Sequence, residues 1–375
     1  MTNVATLKVD LQVLVANWQT LSRLHGGEKP DMTAAVVKAN AYGLGAVQAV
    51  ESLQNAGCKH FFVATLSEAI ALRQNINIAK EAFKPEIYVF QGVLKGEESE
   101  YLHHELHPII NHVAGLKAWL AVQNDAKAKS AIINIDSGMN RLGLSASDLD
   151  DETILQMAKS LKADLLMTHY ACASDLSHPK NAHQFEVMKR VEKQLPHLTT
   201  CYANSAAHFL PRNYHGAISR PGCALYGINP LDNNTACHSS SQMQPVAELS
   251  APILQLRTLH KSEVIGYGAT ETLPKGAIIL TAGIGYADGI HRQASHSLYG
   301  FMGEHRLPQI GRITMDMTCY NASNVPQSVL ESASSLMIID KTQQTVNDLA
   351  SIYNTIGYEV LTSIGERVKR EYTTK

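Results

Sequence analysis

The sequence predicts an α/β protein with an N-terminal (β/α)8 barrel over residues 8–240 and a mainly-β domain over residues 241–375. Three observations lead to this prediction. Short apolar runs alternate with longer helix-like stretches as far as residue 219, and a segment rich in Asn, Ser and Pro follows at 229–245. Beyond it, apolar residues recur with a period of two, which is typical of half-buried strands.

Eight candidate strands carry the barrel prediction, and they are short and often β-branched, as buried parallel strands are. They are Ala34–Val37, Phe61–Ala64, Ile87–Phe90, Pro108–Ile110, Ala131–Ile135, Asp164–Thr168, Thr199–Tyr202 and Ala217–Ser219. The helical candidates between them are Ala46–Ala56, Ser67–Gln74, Val113–Asn124, Asp148–Leu161 and Asn181–Gln194. An open doubly wound sheet is the alternative, but no G-x-G-x-x-G turn follows the first strand.

The second domain combines period-two alternation with frequent glycine. Its segments include AELSAPILQLRTL, EVIGYGAT and GAIILTAGIGYADG, and it ends in a predicted helix around Val346–Ile356. The N-terminal segment ATLKV is also strand-like, so residues 1–7 are expected to join this β domain.

Composition excludes several classes of protein. The 375 residues contain 32 Lys plus Arg against 34 Asp plus Glu, a net charge of −2, so there is no basic excess for nucleic acid or an anionic membrane. No apolar run approaches the roughly 18 residues that span a bilayer. The N-terminal MTNVATLKVDLQ lacks the basic-then-apolar order of a secretory signal. We therefore expect a cytoplasmic protein with neither a nucleic-acid nor a membrane partner.

The cysteines and histidines show no metal-ligand spacing. The cysteines occur singly and form no C-x-x-C pair, so reduced thiols are expected rather than a disulfide scaffold or a zinc site. They are Cys58, Cys172, Cys201, Cys223, Cys237 and Cys319. No H-E-x-x-H motif occurs, and the sequence predicts no metal site.

The predicted barrel brings several polar residues to one mouth, because barrel active sites form at the carboxyl ends of the strands. The residues that follow the eight strands are Lys38, Thr65, Gln91, Asn111, Asp136, His169, Ala203–Ser205 and Arg220. Lys38, His169 and Arg220 are therefore expected to lie near one another.

Lys38 stands in the segment TAAVVKANAYGLG, after an apolar strand and before a turn with two glycines. Burial in an apolar mouth disfavours the charged amine and lowers its pKa. A neutral amine is what Schiff-base chemistry with an aldehyde requires. The ordinary alternative is a lysine at a strand end that reaches solvent.

The segment AVVKANAYGLGA closely resembles the pyridoxal-phosphate attachment motif of the alanine racemase family. Further matches follow in the family's order, and together they span essentially the whole chain and both domains. They are NIDSGMNRLG (134–143), THYACA (168–173), ANSAA (203–207), ISRPGCALYG (218–227), IGYGATET (265–272), GIGYADG (283–289), GRITMDM (311–317) and ERVKR (366–370).

The resemblance implies a bacterial, cytoplasmic, pyridoxal-phosphate-dependent racemase that interconverts L-alanine and D-alanine and supplies D-alanine for peptidoglycan. It implies a homodimer with active sites shared between subunits. Lys38 would hold the cofactor and serve as one acid/base group, and Tyr267 of the partner subunit would serve as the other. Inverting a stereocentre requires removal of a proton on one face and its return on the other, which two bases accomplish. Without the resemblance, a packed strand tyrosine is the preferred interpretation of Tyr267.

The resemblance also implies further contacts. Arg220 would face the pyridine nitrogen, with His169 close by, and the phosphate would bind Tyr42, Ser205 and the backbone N–H groups of Gly222 and Cys223. Substrate contacts are implied for Arg141, Met315, Asp316 and Tyr286.

Two positions depart from the family pattern. Asn134 stands where many members carry a carbamylated lysine, so either a bound anion such as chloride or a different orienting contact serves Arg141. Glu366 stands where some relatives place a phosphate-binding tyrosine, and it is expected to point away because a carboxylate repels a phosphate.

Three alternatives stay open. One is a racemase of wider specificity that also accepts serine, because a methyl-scale difference is worth only ~1–3 kcal/mol. The second is a fold-related pyridoxal-phosphate amino-acid decarboxylase, although the region around Cys319 lacks that group's Cys–Glu–x–x–Asp-like segment. The third is a non-catalytic cofactor-binding protein, which would end after one barrel.

Overall fold

A computed structural model describes residues 4–26, 32–77, 83–231 and 243–373. The predicted boundary at 240/241, most of the 229–245 segment and Cys237 lie outside these residues. The chain divides into two compact units. The barrel unit comprises Leu14–Ala41 and Gly45–Met243, and the β unit comprises the residues up to Val13, Tyr42–Leu44 and the chain from Gln244 onwards.

The described residues form strands and helices throughout both units. The strands are β1 (Thr6–Asp10), β2 (Ala35–Val36), β3 (His60–Val63), β4 (Glu86–Val89), β5 (His107–Ile110), β6 (Ala131–Asp136), β7 (Leu144–Ser145), β8 (Ala163–Met167), β9 (Thr199–Cys201), β10 (Ala247–Thr258), β11 (Glu263–Ile265), β12 (Glu271–Leu273), β13 (Ile278–Ala282), β14 (Tyr299–Met302), β15 (His305–Ile310), β16 (Thr318–Asn321), β17 (Ser335–Ile339) and β18 (Lys369–Thr373). The helices are Leu11–His25, Ala46–Asn55, Leu66–Asn75, Glu98–His104, Val113–Val122, Glu152–Ser160, Pro179–Gln194, Gln327–Ser332, Val346–Tyr353 and Gly357–Thr362. No helix among the described residues is both long and apolar enough to cross a membrane.

The barrel unit is built on parallel strands in the order β2-β3-β4-β5-β6-β8-β9, and the short β7 pairs with β6. All four residues of β5 and the first five of β6 are buried, as expected for strands that are covered on both faces. Single parallel bridges from Ser219 to Thr33 and from Ile218 to Cys201 close the ring between β9 and β2. The predicted fold class is confirmed.

Two predicted elements of the barrel differ from the structure. The eighth strand, Ala217–Ser219, consists only of these bridges, because Pro221 has no N–H to extend the ladder. The single helix predicted over 148–161 is a 3-10 turn at Asp148–Asp150 followed by a helix from Glu152. Asp151 separates the two and caps the helix by accepting the N–H of Thr153 at 2.8 Å.

The β unit is largely antiparallel. Six of its strands form a closed circuit in the order β10-β13-β16-β15-β14-β17, and β17 returns to β10. The strand expected in ATLKV is β1, which pairs antiparallel with β10 and parallel with β18. A small apolar core includes Leu259, Ile265, Leu273, Ile279 and Ile310.

Candidate active site

The backbone turns left-handed immediately after Lys38. Ala39, Asn40 and Ala41 have φ values of 50°, 53° and 54°, and Tyr42 continues the run at 57°. Each L-residue in this conformation costs about 1–2 kcal/mol relative to the right-handed helix. Neighbouring structure must therefore hold the turn, and strain of this kind concentrates at functional sites.

Glu68 and Asn40 hold this turn. The Glu68 carboxylate accepts the Ala39 N–H at 2.8 Å through Oε1 and the Ala64 N–H at 2.7 Å through Oε2. Asn40 Oδ1 accepts the Ala46 N–H at 2.8 Å. Glu68 thus joins the end of β3 to the residue after Lys38, a role that the sequence analysis did not assign.

Lys38 lines a cavity of about 190 Å³ in the barrel unit, together with Asn134, Arg141, Thr168 and His169. Burial lowers the pKa of the Lys38 amine, and the Arg141 charge lowers it further, whereas Glu68 raises it. The neutral fraction of this amine therefore exceeds that of a solvated lysine, which favours nucleophilic attack on a carbonyl carbon.

His169 is neutral in this cavity. Burial lowers its pKa to about 3, and the charges of Arg220, Arg141 and Lys38 act in the same direction. The Asn204 amide lies 3.4 Å from His169 Nε2 and donates to it, which places the ring proton on Nδ1. A neutral imidazole leaves the positive charge of the site with the arginines.

Arg220 is 3% exposed, and both of its terminal nitrogens donate hydrogen bonds to backbone carbonyl groups. Its Nη2 donates to the Thr168 carbonyl at 2.7 Å, and its Nη1 donates to the Cys201 carbonyl and lies 3.1 Å from Cys201 Sγ. Its guanidinium lies 5.9 Å from the ring centroid of Phe62. These partners hold the Arg220 guanidinium in place, and a guanidinium stays protonated and can only donate hydrogen bonds. Burial raises the pKa of the Cys201 thiol although Arg220 opposes this, so the sulfur facing the guanidinium is an uncharged thiol.

Ser205 and the segment from Gly222 to Ala224, which includes Cys223, form a buried cradle. Ser205 Oγ accepts the backbone N–H of Gly222 at 2.8 Å and that of Ala224 at 3.3 Å. Ser205 precedes a four-residue 3-10 turn, and Cys223 begins another. Two N–H groups that converge on one oxygen can equally receive an anionic oxygen, so this cradle suits a phosphate.

The remaining predicted site residues belong to the β unit. Tyr42 is buried and its ring lies 5.9 Å from that of Tyr358. Tyr267, Tyr286, Met315 and Asp316 line a surface cavity of about 810 Å³. Tyr267 is 74% exposed on a short turn, so the interpretation as a packed strand tyrosine is wrong.

Two turns carry Tyr286 and Met315. The Tyr286 N–H donates to the Thr314 carbonyl and the Ala287 N–H to the Met315 carbonyl, each at 3.0 Å. Gly285 permits this approach, because a Cβ there would lie 2.3 Å from the Thr314 oxygen.

Arg367 also holds these turns. It donates to Asp288 at 3.0 Å and to Asp316 at 2.8 Å, and both carboxylates raise its pKa. Arg367 lies in the ERVKR segment, which gave no indication of these two partners. Its neighbour Glu366 is exposed.

Among the described residues, no group of histidine, cysteine or acidic side chains is arranged to hold a metal ion. The five cysteines in the described ranges are all free.

Residues 9–230 match the N-terminal domain of alanine racemase, and residues 246–372 match its C-terminal domain. The chain belongs to the alanine racemase family. A catabolic alanine racemase from Agrobacterium fabrum is 35% identical over 98% of this chain and 91% of that protein. An alanine racemase from Rhodospirillum rubrum is also 35% identical, over 98% of this chain and 96% of that protein.

Solved alanine racemase structures are similar over the whole chain. The enzyme from Bartonella henselae, with covalently bound pyridoxal phosphate, is 31% identical with a TM-score of 0.84 and covers 99% of both chains. The biosynthetic alanine racemase from Pseudomonas aeruginosa is 29% identical with a TM-score of 0.85 and covers both chains completely. The predicted family is confirmed.

Sequence signals for some overlooked residues were present. Thr65 and Glu68 form a capping box, T-x-x-E, at the start of the helix Leu66–Asn75. The spacing indicated a helix start but gave no sign that the same carboxylate reaches Ala39, which lies 29 residues earlier. Thr168, Cys201 and Phe62 contact Arg220 through the barrel interior, and only the fold brings them there.

Proposed function

We propose that this protein is a pyridoxal-phosphate-dependent alanine racemase that interconverts L-alanine and D-alanine. Family membership supports the reaction, and the covalently bound pyridoxal phosphate of the Bartonella henselae structure supports the cofactor. The observation that carries the proposal is the Lys38 amine, which burial makes more easily deprotonated and which shares one cavity with Arg141 and His169.

The residues of the barrel unit fit this cofactor. Lys38 would hold it covalently. Ser205 and the backbone N–H groups of Gly222, Cys223 and Ala224 would receive its phosphate. Tyr42 is proposed as a further phosphate ligand. When bound, pyridoxal phosphate supplies an electron sink that stabilises negative charge at the substrate Cα.

Arg220 limits the strength of that sink. A guanidinium only donates hydrogen bonds and stays protonated, so facing the pyridine nitrogen it favours the unprotonated ring. The carbonyl groups of Thr168 and Cys201 hold the guanidinium in place. By weakening the sink, Arg220 would restrict side reactions such as transamination.

Lys38 and Tyr267 of the partner subunit are proposed as the two bases. Each removes or returns the Cα proton on its own face of the substrate, so inversion needs no rotation of the bound amino acid. The arginines supply the positive charge of the mouth, because His169 is neutral.

A homodimer is supported by the exposed surface of the β unit. Tyr267, Tyr286, Met315 and Met317 are large apolar or aromatic side chains that are between 43% and 74% exposed and line one cavity. Clustered exposure of this kind marks an interaction surface. In the proposed dimer this surface supplies Tyr267, and Tyr286, Met315 and Asp316 close the substrate pocket while Arg141 binds the substrate carboxylate.

The product D-alanine would serve peptidoglycan synthesis. Similar proteins carry both the catabolic name, in Agrobacterium fabrum, and the biosynthetic name, in Pseudomonas aeruginosa. The ability of this chain to supply D-alanine in a cell is tested in a bacterial strain that requires external D-alanine for growth. Expression of this chain should remove the requirement.

The reaction is tested by incubating the purified, cofactor-loaded protein with L-alanine in deuterated buffer. We expect D-alanine with deuterium at Cα. Release of carbon dioxide would instead identify a decarboxylase, and an unchanged amino acid would identify a non-catalytic protein. L-serine in a parallel incubation measures the breadth of specificity.

A further inference from the structure

Gln184 is a fully buried amide in the helix Pro179–Gln194, and the family resemblance assigns it no role. A buried side-chain amide brings two N–H donors and a carbonyl acceptor, and each of them needs a hydrogen-bond partner. The partners of Gln184 lie just after the carboxyl ends of β6 and β8, at the mouth of the barrel. This position makes Gln184 a candidate for holding the site residues that follow these strands.

Two of these partners are backbone groups of the segment that carries His169. Gln184 Nε2 donates to the His169 carbonyl at 2.9 Å, and Gln184 Oε1 accepts the Ala171 N–H at 2.9 Å. Rotating the amide by 180° would set its oxygen against the His169 carbonyl and its nitrogen against the Ala171 N–H, so the backbone fixes its orientation. Gln184 therefore holds the chain on both sides of Tyr170.

The third partner is the Ser137 hydroxyl, which follows β6. Gln184 Nε2 also donates to Ser137 Oγ at 2.9 Å. Thr168 Oγ1 donates its one hydrogen to the Ile135 carbonyl at 2.8 Å, so the hydrogen in its 2.7 Å contact with Ser137 Oγ belongs to Ser137. The chain of hydrogen bonds therefore runs in one direction, from the Gln184 amide to the Ile135 carbonyl.

The loop that carries Arg141 has a separate anchor. The Asp136 carboxylate accepts the backbone N–H of Asn140 at 3.0 Å and that of Arg141 at 3.1 Å. Removing the Gln184 amide would leave these hydrogen bonds in place, whereas it would release two backbone groups of the His169 segment. The influence of Gln184 on the site is therefore directed at His169.

A different amide contacts the imidazole of His169 itself. The Asn204 side chain donates to His169 Nε2 at 3.4 Å, and His169 lines the cavity that contains Lys38. Because the ring is attached to the backbone that Gln184 holds, a movement of this backbone shifts the imidazole relative to Lys38. A displacement of about 1 Å at a catalytic site can lower the rate by up to ~10²-fold.

We propose that Gln184 is a positioning residue that holds the His169 imidazole in place through the backbone of residues 169–171. It contacts backbone groups and the Ser137 hydroxyl, and its contribution to the reaction passes through His169. This inference deepens the proposed function and rests on it for the reaction whose rate is measured.

The first test measures the racemisation kinetics of Gln184→Met. Methionine keeps the length of the side chain and removes its three hydrogen bonds, so we expect kcat to fall by about tenfold. KM for alanine should stay close to the wild-type value, because Asp136 still holds the Arg141 loop. A kcat equal to that of wild type would overturn the proposal, and so would a rise in KM at constant kcat.

Gln344→Met is the matched control. Gln344 is 3% exposed, and its Nε2 donates to the carbonyl groups of Tyr299 at 2.9 Å and Ile338 at 2.7 Å in the β unit. The substitution likewise removes a buried amide that is bonded to the backbone, and it should leave kcat unchanged. An equal loss of kcat in both variants would overturn the proposal.

A second substitution covers the case in which thermal unfolding shows that Gln184→Met does not fold. Gln184→Glu keeps the acceptor for the Ala171 N–H, but in alkaline buffer its carboxylate cannot donate to the His169 carbonyl. Its kcat should therefore fall below that of wild type, and an unchanged kcat would overturn the proposal.

The double variant separates positioning from a general structural effect. If Gln184 acts through His169, then Gln184→Met should lower kcat no further in protein that already carries His169→Leu. A general structural role would lower kcat in both backgrounds. Multiplied losses would therefore overturn the proposal.

Hydrogen exchange of the Ala171 amide gives a readout that needs no turnover. In the cofactor-loaded protein we expect this amide to exchange about tenfold faster in Gln184→Met than in wild type, and at the wild-type rate in Gln344→Met. Unchanged protection in Gln184→Met would overturn the proposal, even if the protein fails to racemise alanine. Wild-type protein that does not racemise alanine would contradict the proposed function alone, so the two failures are distinguished.

Discussion

The barrel mouth and the exposed surface of the β unit present their functional residues in opposite ways. Arg220 and Ser205 are buried and hydrogen-bonded to backbone groups, and the turn after Lys38 is strained and held by Glu68. Tyr267 and Met315, by contrast, are 74% and 52% exposed. The barrel unit therefore holds its functional residues in place by itself. The proposed second base, Tyr267, lies on an exposed surface and needs a partner subunit to complete the site.

Lys38→Ala changes the barrel mouth and should have the largest effect on racemisation. It removes both the covalent anchor and a base, so we expect racemisation to fall by at least ~10⁴-fold. The visible absorbance of the bound cofactor should shift at the same time, measured on protein loaded with pyridoxal phosphate. Retention of racemase activity within tenfold of wild type would assign the chemistry to another amine.

Tyr267→Phe removes the proposed base of the β unit and should lower racemisation by roughly 10²–10⁴-fold. Lys38 remains able to act on its own face, so deuterium should still exchange into one enantiomer of alanine. The other enantiomer should not exchange. Tyr286→Phe, a tyrosine on the same surface, is the control and should exchange both enantiomers, and equal exchange of both by Tyr267→Phe would contradict the two-base assignment.

Arg367→Ala loosens the turns of Tyr286 and Met315 and changes no residue of the barrel mouth. It therefore tests the β unit alone. We expect KM for alanine to rise by about tenfold and kcat to change less, because positioning of the pocket is lost. Arg367→Lys can keep one of the two ion pairs, so its KM for alanine should lie between the values for Arg367→Ala and wild type. A fall in kcat at constant KM would show that Arg367 acts on the chemical step.

Glu68→Gln should have the smallest effect. It tests how the Glu68 charge acts on the pKa of Lys38. The Glu68 charge raises the pKa of Lys38, so its removal should lower that pKa further. Attachment of pyridoxal phosphate to apoprotein needs the neutral amine, and its rate rises with pH through the Lys38 pKa. The pH at which the attachment rate rises should therefore be lower in Glu68→Gln than in wild type. A higher pH would contradict the direction in which Glu68 is said to shift the pKa of Lys38.

The sequence predicted the parallel strands because their apolar runs are short and bounded. It also contained the signal for the overlooked helix Leu11–His25, whose buried Leu11, Leu14, Trp18 and Leu21 recur every three or four residues. The left-handed turn after Lys38 was beyond such reasoning, because Ala39 and Ala41 give no local reason to adopt positive φ.

The site residues divide in the same way. Lys38, His169 and Arg220 were placed together by the barrel prediction alone, since each follows a strand. The position of Tyr267 came only from the family resemblance. Arg367 belongs to the ERVKR segment, but its role could not be predicted because its partners Asp288 and Asp316 lie far away along the chain. The hydrogen bonds from Asn134 to Asn111 and to the Leu142 carbonyl likewise depend on three-dimensional contacts.

The central claim is that the two bases of one active site come from two subunits. It is tested most directly by exchanging subunits between Lys38→Ala and Tyr267→Phe, each inactive alone. A mixed dimer holds one site with both Lys38 and Tyr267, so an equal mixture should recover about a quarter of wild-type activity. If the mixture stays inactive although mixed dimers are shown to form, the shared active site is contradicted.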